Sequence, residues 1–359
     1  MRGKKLRKLK YSDSIREALF SSMKSNKKTI LVGLGITDPK GVFGTTKDLL
    51  KYFGKKRVIE MPTSENAMTG IAIGAAIKGL RPIITHQRVE FALLSMEQII
   101  NQAAKWHFMT AGKQKVPLVI RLIIGKGWGQ GPQHSQSLEV LFSHIPGLKV
   151  VAPSNAYDAK GMMMQSIKDN NPVIFFEHRW LHEITGFVPK KNYTVSINKA
   201  KIVKKGIHIT VVSYSEALIQ VMRAYNFLKT QNIFIDLIDL RSLRPLDTST
   251  IIKSVKKTGK LLVVDNGWTT FGVSAEIISV VTEKVFKTLK LPPARIGIKN
   301  CPIPSSRELA KYCYLNTSSI IQKIEDMTKK IDKKNKNLFL RKINQINSDV
   351  PYANFKGPF

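Results

Sequence analysis

Short runs of aliphatic and β-branched residues alternate with longer stretches of helical periodicity, first over the opening half of the chain and again after residue 207. A strand followed by a helix and then by a parallel strand covers both faces of its sheet, so this alternation restricts the fold to α/β layers. In the first series, strands are expected at 29–32, 81–84, 116–122, 149–151 and 173–176. Helices are expected at 13–26, 45–53, 67–78, 95–110 and 157–169. Residues 178–207 interrupt the rhythm with prolines, glycines and short polar stretches and read as a connection. The second series places strands at 208–213, 234–238 and 261–264 and a helix at 273–285. Ser213, Ser215 and Glu216 stand where strand passes into helix, an N-cap arrangement. The expected fold class is α/β, two doubly wound parallel-sheet domains. Their expected bounds are 11–190 and 205–330, with a linker over 191–204, a basic arm over 1–10 and a basic extension over 331–359.

With 359 residues and 43% hydrophobic residues, the chain can build two cores of ordinary size. No apolar run approaches the ~20 residues of a membrane span. The basic start MRGKKLRKLK has no hydrophobic stretch behind it, so a cytoplasmic protein is expected. The two cysteines, Cys301 and Cys313, match neither a zinc pattern nor a disulfide framework and read as buried small residues. A formal charge of +33 raises the question of a polyanionic partner. The lysines are scattered, however, with clusters only at 3–10 and 329–342, and no aromatic-interleaved basic strand or zinc pattern accompanies them. Neither nucleic acid nor membrane is expected as a partner, while an acidic protein remains compatible with the charge.

Two segments concentrate the chemistry. In MPTSENAMTGIAIGAAIKGLRPI, residues 61–83, a proline-containing turn delivers Ser64 and Glu65 to the start of a helix. The small residues Gly70, Ala72, Gly74, Ala75 and Ala76 would let that helix pack closely against another. The helix macrodipole alone favours an acidic residue in a first turn, so Glu65 by itself also fits a structural role. In GKGWGQGPQHSQ, residues 125–136, four glycines and a proline follow an apolar strand. Loops of that composition at the C-terminal end of a parallel strand commonly hold ligands. His134 sits on its far side, where a satisfied structural histidine is the plain alternative. The loop lacks the GXXXXGK[ST] phosphate-binding pattern.

Together these segments resemble the β subunit of the decarboxylating component of 2-oxo acid dehydrogenases, the group that acts on pyruvate, branched-chain 2-oxo acids and acetoin. The resemblance runs from about residue 11 to 328. It takes in SEN-GIAIGAA-GLRPI, MEQIINQAAKW, PQHSQ, HIPGLKVVAPSNAYDAKG, DNNPVIFFEH, ITVVSYS, DLRSLRPLD and VVDNGWTTFGVSAEI. It implies a thiamine diphosphate pyrimidine-binding domain followed by a transketolase C-terminal-like domain. It also implies an α₂β₂ heterotetramer in which an α subunit holds the diphosphate through Mg²⁺ with a GDG...NN signature. This chain contains no GDG. The further implied partners are a small 2-oxo acid and a lipoyl-bearing acyltransferase that receives the acyl group.

Carried over residue by residue, the resemblance makes Glu65 the carboxylate that faces N1′ of the aminopyrimidine, where its hydrogen bond makes the 4′-nitrogen basic enough to take a proton. Phe91 matches the aromatic residue against the pyrimidine face, with a core phenylalanine as the alternative. His134 matches the histidine facing the reacting carbons, and Gln133 is a weaker candidate for orienting substrate. Leu118, Ser166, Asp169 and Asn171 fall where relatives surround a structural monovalent cation such as K⁺. The DNNP turn could equally be a helix stop that needs no ion.

Two departures stand out. GLGI replaces the family's GEEV after the first strand, so Leu34 and Gly35 stand where an acidic pair is expected to couple the two cofactor sites. THQRVE replaces an aromatic-rich segment and brings His86 and Arg88 toward the substrate cavity. Arg88 reads either as a substrate-carboxylate ligand or, preferably, as a surface or interface arginine. A carboligase that passes its intermediate to an aldehyde, and a scaffold that has kept the fold without the chemistry, are the alternative functions.

Overall fold

The computed structural model describes residues 6–328. The basic extension expected over 331–359 lies outside the described residues, as do the first five residues of the basic arm. The rest of that arm is a strand, β1 (Leu6–Lys10), which pairs antiparallel with β8 (Thr185–Pro189). Arg7 and Leu9 are half-buried while Lys8 and Lys10 are exposed, the alternation of a two-stranded ribbon with one face toward solvent.

The first sheet is built from β2 (Thr29–Gly33), β3 (Val58–Glu60), β4 (Arg81–His86), β5 (Val119–Ile124), β6 (Lys149–Val151) and β7 (Val173–His178), all parallel. The central strands VIRLII and VIFFEH are buried at every position, as a sheet covered on both faces requires. The helices Tyr11–Ser25 and Ala156–Lys168 cover one face together, burying Ile15, Leu19, Met162 and Met163. The second sheet comprises β9 (Lys201–Lys204), β10 (Ile209–Ser213), β11 (Ile235–Asp239), β13 (Leu261–Trp268) and β14 (Ala294–Ile298), in the order β14-β13-β10-β11-β9. Only β9, at its edge, is antiparallel. Between β11 and β13, strand β12 (Ser242–Arg244) leaves the second sheet and pairs antiparallel with β6, making the first sheet seven-stranded. One apolar cluster runs through both units, with Ile120, Leu122 and Phe176 joined to Val212, Ile238 and Leu240.

The fold is thus two parallel-dominated α/β sheets, as the alternation predicts, each with an antiparallel edge strand. Local differences have local causes. The expected strand 116–122 starts at Val119, because Pro117 has no N–H to give the ladder, and it runs on to Ile124. The expected helix 45–53 shrinks to Leu49–Phe53. Thr45 Oγ1 donates to the Val42 carbonyl at 2.7 Å and Thr46 Oγ1 accepts from the Val42 N–H at 2.9 Å, so these side chains hold a tight turn instead. The expected helix 95–110 is a 3₁₀ segment Val89–Ser95, a π-helical stretch Gln98–Ala103 and an α-helix Ala104–Met109. The expected N-cap at Ser213–Glu216 does not form. Ser213 lies inside β10 with its hydroxyl on the Val264 carbonyl, and Tyr214 precedes helix Ser215–Thr230 without a side-chain cap.

Candidate active site

The loops that leave the C-terminal ends of β2, β4, β5 and β7 enclose a cleft of 1110 Å³. Ligands in open parallel sheets sit at this edge. Phe43, Arg88, Phe91, Gln130, His134 and Arg179 are among the residues that line it. The rings of Phe91 and His134 meet edge to face, 5.7 Å apart at 75°. A smaller adjoining depression is walled by Leu34, Glu65, Met68, Thr85, His86 and again Phe91. Phe91 and Gln87 belong to both walls, so Glu65, Phe91 and His134, distant in sequence, are brought together.

Glu65 opens the helix Glu65–Ile77 and is half-buried. Among the described residues its carboxylate has no hydrogen bond or ion pair. The small residues of this helix divide between two faces. Ala72 and Ala76 pack inward with Met68 and Ile73, whereas Gly70, Ile71 and Gly74 are exposed, Ile71 at 61%.

The His134 loop is held open by backbone geometry. Gly127, Trp128, Gly129 and Gly131 all have positive φ, between 52° and 81°, which explains the run of glycines. Lys126 anchors its start. Its ammonium lies 3.1 Å from Glu216 Oε2 of the second unit and over the rings of Trp180 (4.4 Å) and Tyr314 (4.8 Å). The Tyr314 hydroxyl accepts from Gly127 N–H at 3.0 Å. Burial works to raise the Glu216 carboxyl, but Lys126 and His178 hold it below its ordinary range.

Beneath the cleft, Arg121 of β5 and Glu177 of β7 form a fully buried bidentate pair at 2.6 and 3.0 Å. Thr85 and Thr45 accept its remaining donors at 3.2 and 2.7 Å. Burial alone would raise Glu177, yet Arg121 and His182 bring it down to about 2. His86 is buried in the wall of the Glu65 depression and desolvation lowers it to about 4, so it is neutral at physiological pH.

The remaining predicted residues lie elsewhere. Gln133 is exposed and lines a separate cavity with Trp268 and Cys301. Leu118, Ser166, Asp169 and Asn171 gather at the N-terminal ends of β4 to β7, the edge of the sheet opposite the cleft. There Asp169 pairs with Lys149 and accepts from the Asn171 backbone N–H at 2.9 Å, while Arg81 donates to the carbonyls of Ile167 and Asp169, both at 2.9 Å. Cys301 and Cys313 are free thiols with sulfurs 3.4 Å apart.

The sequence left two readings open for Arg88 and did not single out Glu90 or Glu60. Arg88 is not a surface arginine: it is 6% exposed and stands in the cleft wall, its guanidinium 5.6 Å from the centre of the Phe43 ring. Glu90 accepts from the Gln136 N–H at 2.9 Å, and burial raises its pKa against the pull of Arg88 and His134. At the turn where Leu34 and Gly35 replace an acidic pair, Glu60 of β3 brings in a carboxylate. It accepts from the backbone N–H of Gly35 and from Thr37 N–H and Oγ1, the latter two at 3.0 and 2.8 Å. Only the parallel register of Gly33 with Glu60 creates that proximity.

Comparison with known proteins agrees with this architecture. Residues 7–183 match the family "Transketolase, pyrimidine binding domain" and residues 198–320 match "Transketolase, C-terminal domain". The chain is similar to the pyruvate dehydrogenase E1 component subunit beta of Rickettsia conorii, with 39% identity over 313 residues covering 87% of this chain and 96% of that protein. It is 37% identical over 302 residues to the mitochondrial human protein of the same name, covering 83% and 84% of the two chains. Among solved structures, a split-gene transketolase described as an inactive β4 tetramer superposes with a TM-score of 0.73 at 16% identity, covering 89% of this chain and 98% of that one, a likeness of fold. With both transketolase domains in one chain and this identity to its relatives over nearly their whole length, the chain belongs to the family of pyruvate dehydrogenase E1 component beta subunits.

Proposed function

We propose that this chain is the beta subunit of a thiamine diphosphate-dependent 2-oxo acid dehydrogenase, working with an α subunit that holds Mg²⁺ and the diphosphate. The observation that carries this reading is the Glu65 carboxylate. It has no partner among the described residues, opens a helix, and shares an otherwise largely apolar depression with Leu34, Met68 and Phe91. A flat aminopyrimidine with one basic ring nitrogen fits that donor set, a single carboxylate against an aromatic wall.

In this reading Glu65 holds the proton shared with N1′ of the ring. Phe91 supports the ring face and keeps water from it. His134, in edge contact with Phe91 and with Nδ1 free of any hydrogen-bond partner, faces the reacting carbons and stabilises charge there. The bound cofactor supplies the electron sink for decarboxylation. The exposed Gly70, Ile71 and Gly74 give helix Glu65–Ile77 a smooth face for assembly into an α₂β₂ molecule. The acyl product passes to a lipoyl-bearing acyltransferase, whose encounter a chain of charge +33 would favour if that partner is acidic. For the cation expected near Asp169, the chemistry present favours the helix-stop alternative, since Lys149 and Arg81 already place positive charge there. No step is assigned to an ion at that turn.

The test is the complex reconstituted with its α partner, assayed with 2-oxo acids and an artificial oxidant but no aldehyde. Glu65→Gln should lower turnover by about 10²-fold or more while leaving α–β assembly, followed by sedimentation, unchanged. Unchanged turnover would remove Glu65 from the mechanism, and a requirement for an aldehyde acceptor would make the enzyme a carboligase.

A further inference from the structure

The large cleft carries buried polar groups that nothing among the described residues satisfies. Arg88 is 6% exposed, yet its Nη1 has no hydrogen-bond partner and the residue forms no ion pair with any described carboxylate. Both polar atoms of the Gln130 amide and Nδ1 of His134 are likewise buried and unpartnered. All three residues line the cleft. Arg88 and Gln130 converge on Gly125, where an ideal Cβ would stand 2.3 Å from Arg88 Nη1, 2.6 Å from Gln130 Oε1 and 2.6 Å from the backbone carbonyl of His134. The guanidinium groups of Arg88 and Arg179 both lie over the ring of Phe43, 5.6 and 4.9 Å from its centre. The Glu90 carboxyl, which burial raises, acts on Arg88 through space without forming an ion pair with it. A buried cation so weakly answered is costly, and a site that keeps one beside a spare amide suits an anion.

The chemistry of decarboxylation indicates which anion. The carboxylate next to the keto carbon loses its charge as CO₂ departs, so a buried arginine paired with it would stabilise the ground state more than the transition state. An anionic group that does not react keeps its arginine contact throughout, and that binding assists the reaction. We infer that Arg88, with Gln130, binds a second, non-reacting anionic group of the substrate, which is therefore a 2-oxo acid bearing a carboxylate or a phosphate besides the carboxylate it loses. This rests on the reading of the cleft as the site of a 2-oxo acid dehydrogenase.

The assembled α–β complex tests it through kcat/KM for four acids. Pyruvate and 2-oxobutanoate carry no second charge, 2-oxoglutarate carries a carboxylate, and 3-phosphohydroxypyruvate carries a phosphate. The expected result is that one charged acid exceeds the uncharged pair by about tenfold to hundredfold. Arg88→Met should collapse that ratio and Arg88→Lys should restore part of it. The ratio between the two charged arms identifies the anion. Glutarate should inhibit the wild-type complex at lower concentration than butanoate if the carboxylate arm wins, a readout that needs no variant to fold. A wild-type complex that turns over the uncharged acids best, or an Arg88→Met complex that loses all four activities in equal proportion, overturns the inference and leaves the dehydrogenase reading standing. Turnover of none of the four acids or of any other 2-oxo acid would overturn that reading itself, and the inference with it.

Discussion

At the scale of single residues, Glu139 shows how burial converts chemistry into stability. The side chain is enclosed between the two units, and its Oε1 accepts from Asn266 Nδ2 at 2.9 Å. Desolvation raises its carboxyl from the usual 4.5 to about 7. A group raised in this way favours the folded state fully below its unfolded pKa and loses that contribution as pH climbs through the folded value. Glu139→Gln should therefore gain stability relative to wild type as pH rises from about 4.5 to 8, by on the order of 3 kcal/mol, read as the difference between the two urea-unfolding curves. His86 works in the opposite direction. Desolvation lowers it to about 4, so its favourable neutral form is present above the ordinary histidine range and is lost as pH falls through about 4. Neither shift is legible in sequence, because a Glu at the start of a short helix and a His at a strand end have ordinary composition on both sides. Glu65 is the contrasting case: SEN-GIAIGAA marks it as a candidate by type and position before any coordinate is known.

At the scale of elements, the glycine-rich loop is the part most plainly written in the chain. Three of its four glycines take positive φ, as does Trp128 between them, and His134 after them lines the cleft. Its anchor is not written there. Lys126 and Glu216 lie 90 residues apart and are both about 6% exposed at the side chain. Lys126→Met would leave Glu216 buried without its counter-charge, with Gln220 Nε2 at 2.6 Å as its remaining donor, at a cost of about 3–5 kcal/mol. Adding Glu216→Gln to that variant should recover most of the loss, and chemical denaturation of the two variants measures both numbers. If Lys126→Met proves neutral, the cage of Trp180 and Tyr314 rather than the ion pair holds the loop. The π-helical stretch at Gln98–Ala103 also escaped prediction, since one extra residue in a turn shifts the apolar period too little for sequence to register.

For the whole molecule, the two sheets do not behave as separate modules. Strand β12 leaves one unit to finish the sheet of the other, and a single apolar cluster spans both. Far-UV circular dichroism and tryptophan fluorescence should therefore report one coincident unfolding transition rather than two. The chain alone should also fail to take up thiamine diphosphate at concentrations that saturate the α–β complex, as equilibrium dialysis would show. Uptake by the isolated chain would mean that it holds the diphosphate itself.

By itself, the sequence determined the local and periodic properties of this protein: two alternating α/β series, the glycine loop, and a run of motifs that singles out Glu65, Phe91 and His134 as candidates. Side-chain period, turn chemistry and motif spacing are carried by neighbouring residues, so they survive in one dimension. Only the tertiary structure decided that β12 crosses between sheets, that Glu60 reaches the turn at Leu34 and Gly35, and that Arg88 is buried with Nη1 unpartnered among the described residues. Those depend on burial and register between segments far apart in the chain, which fix the cost of a charge and the partner of a strand.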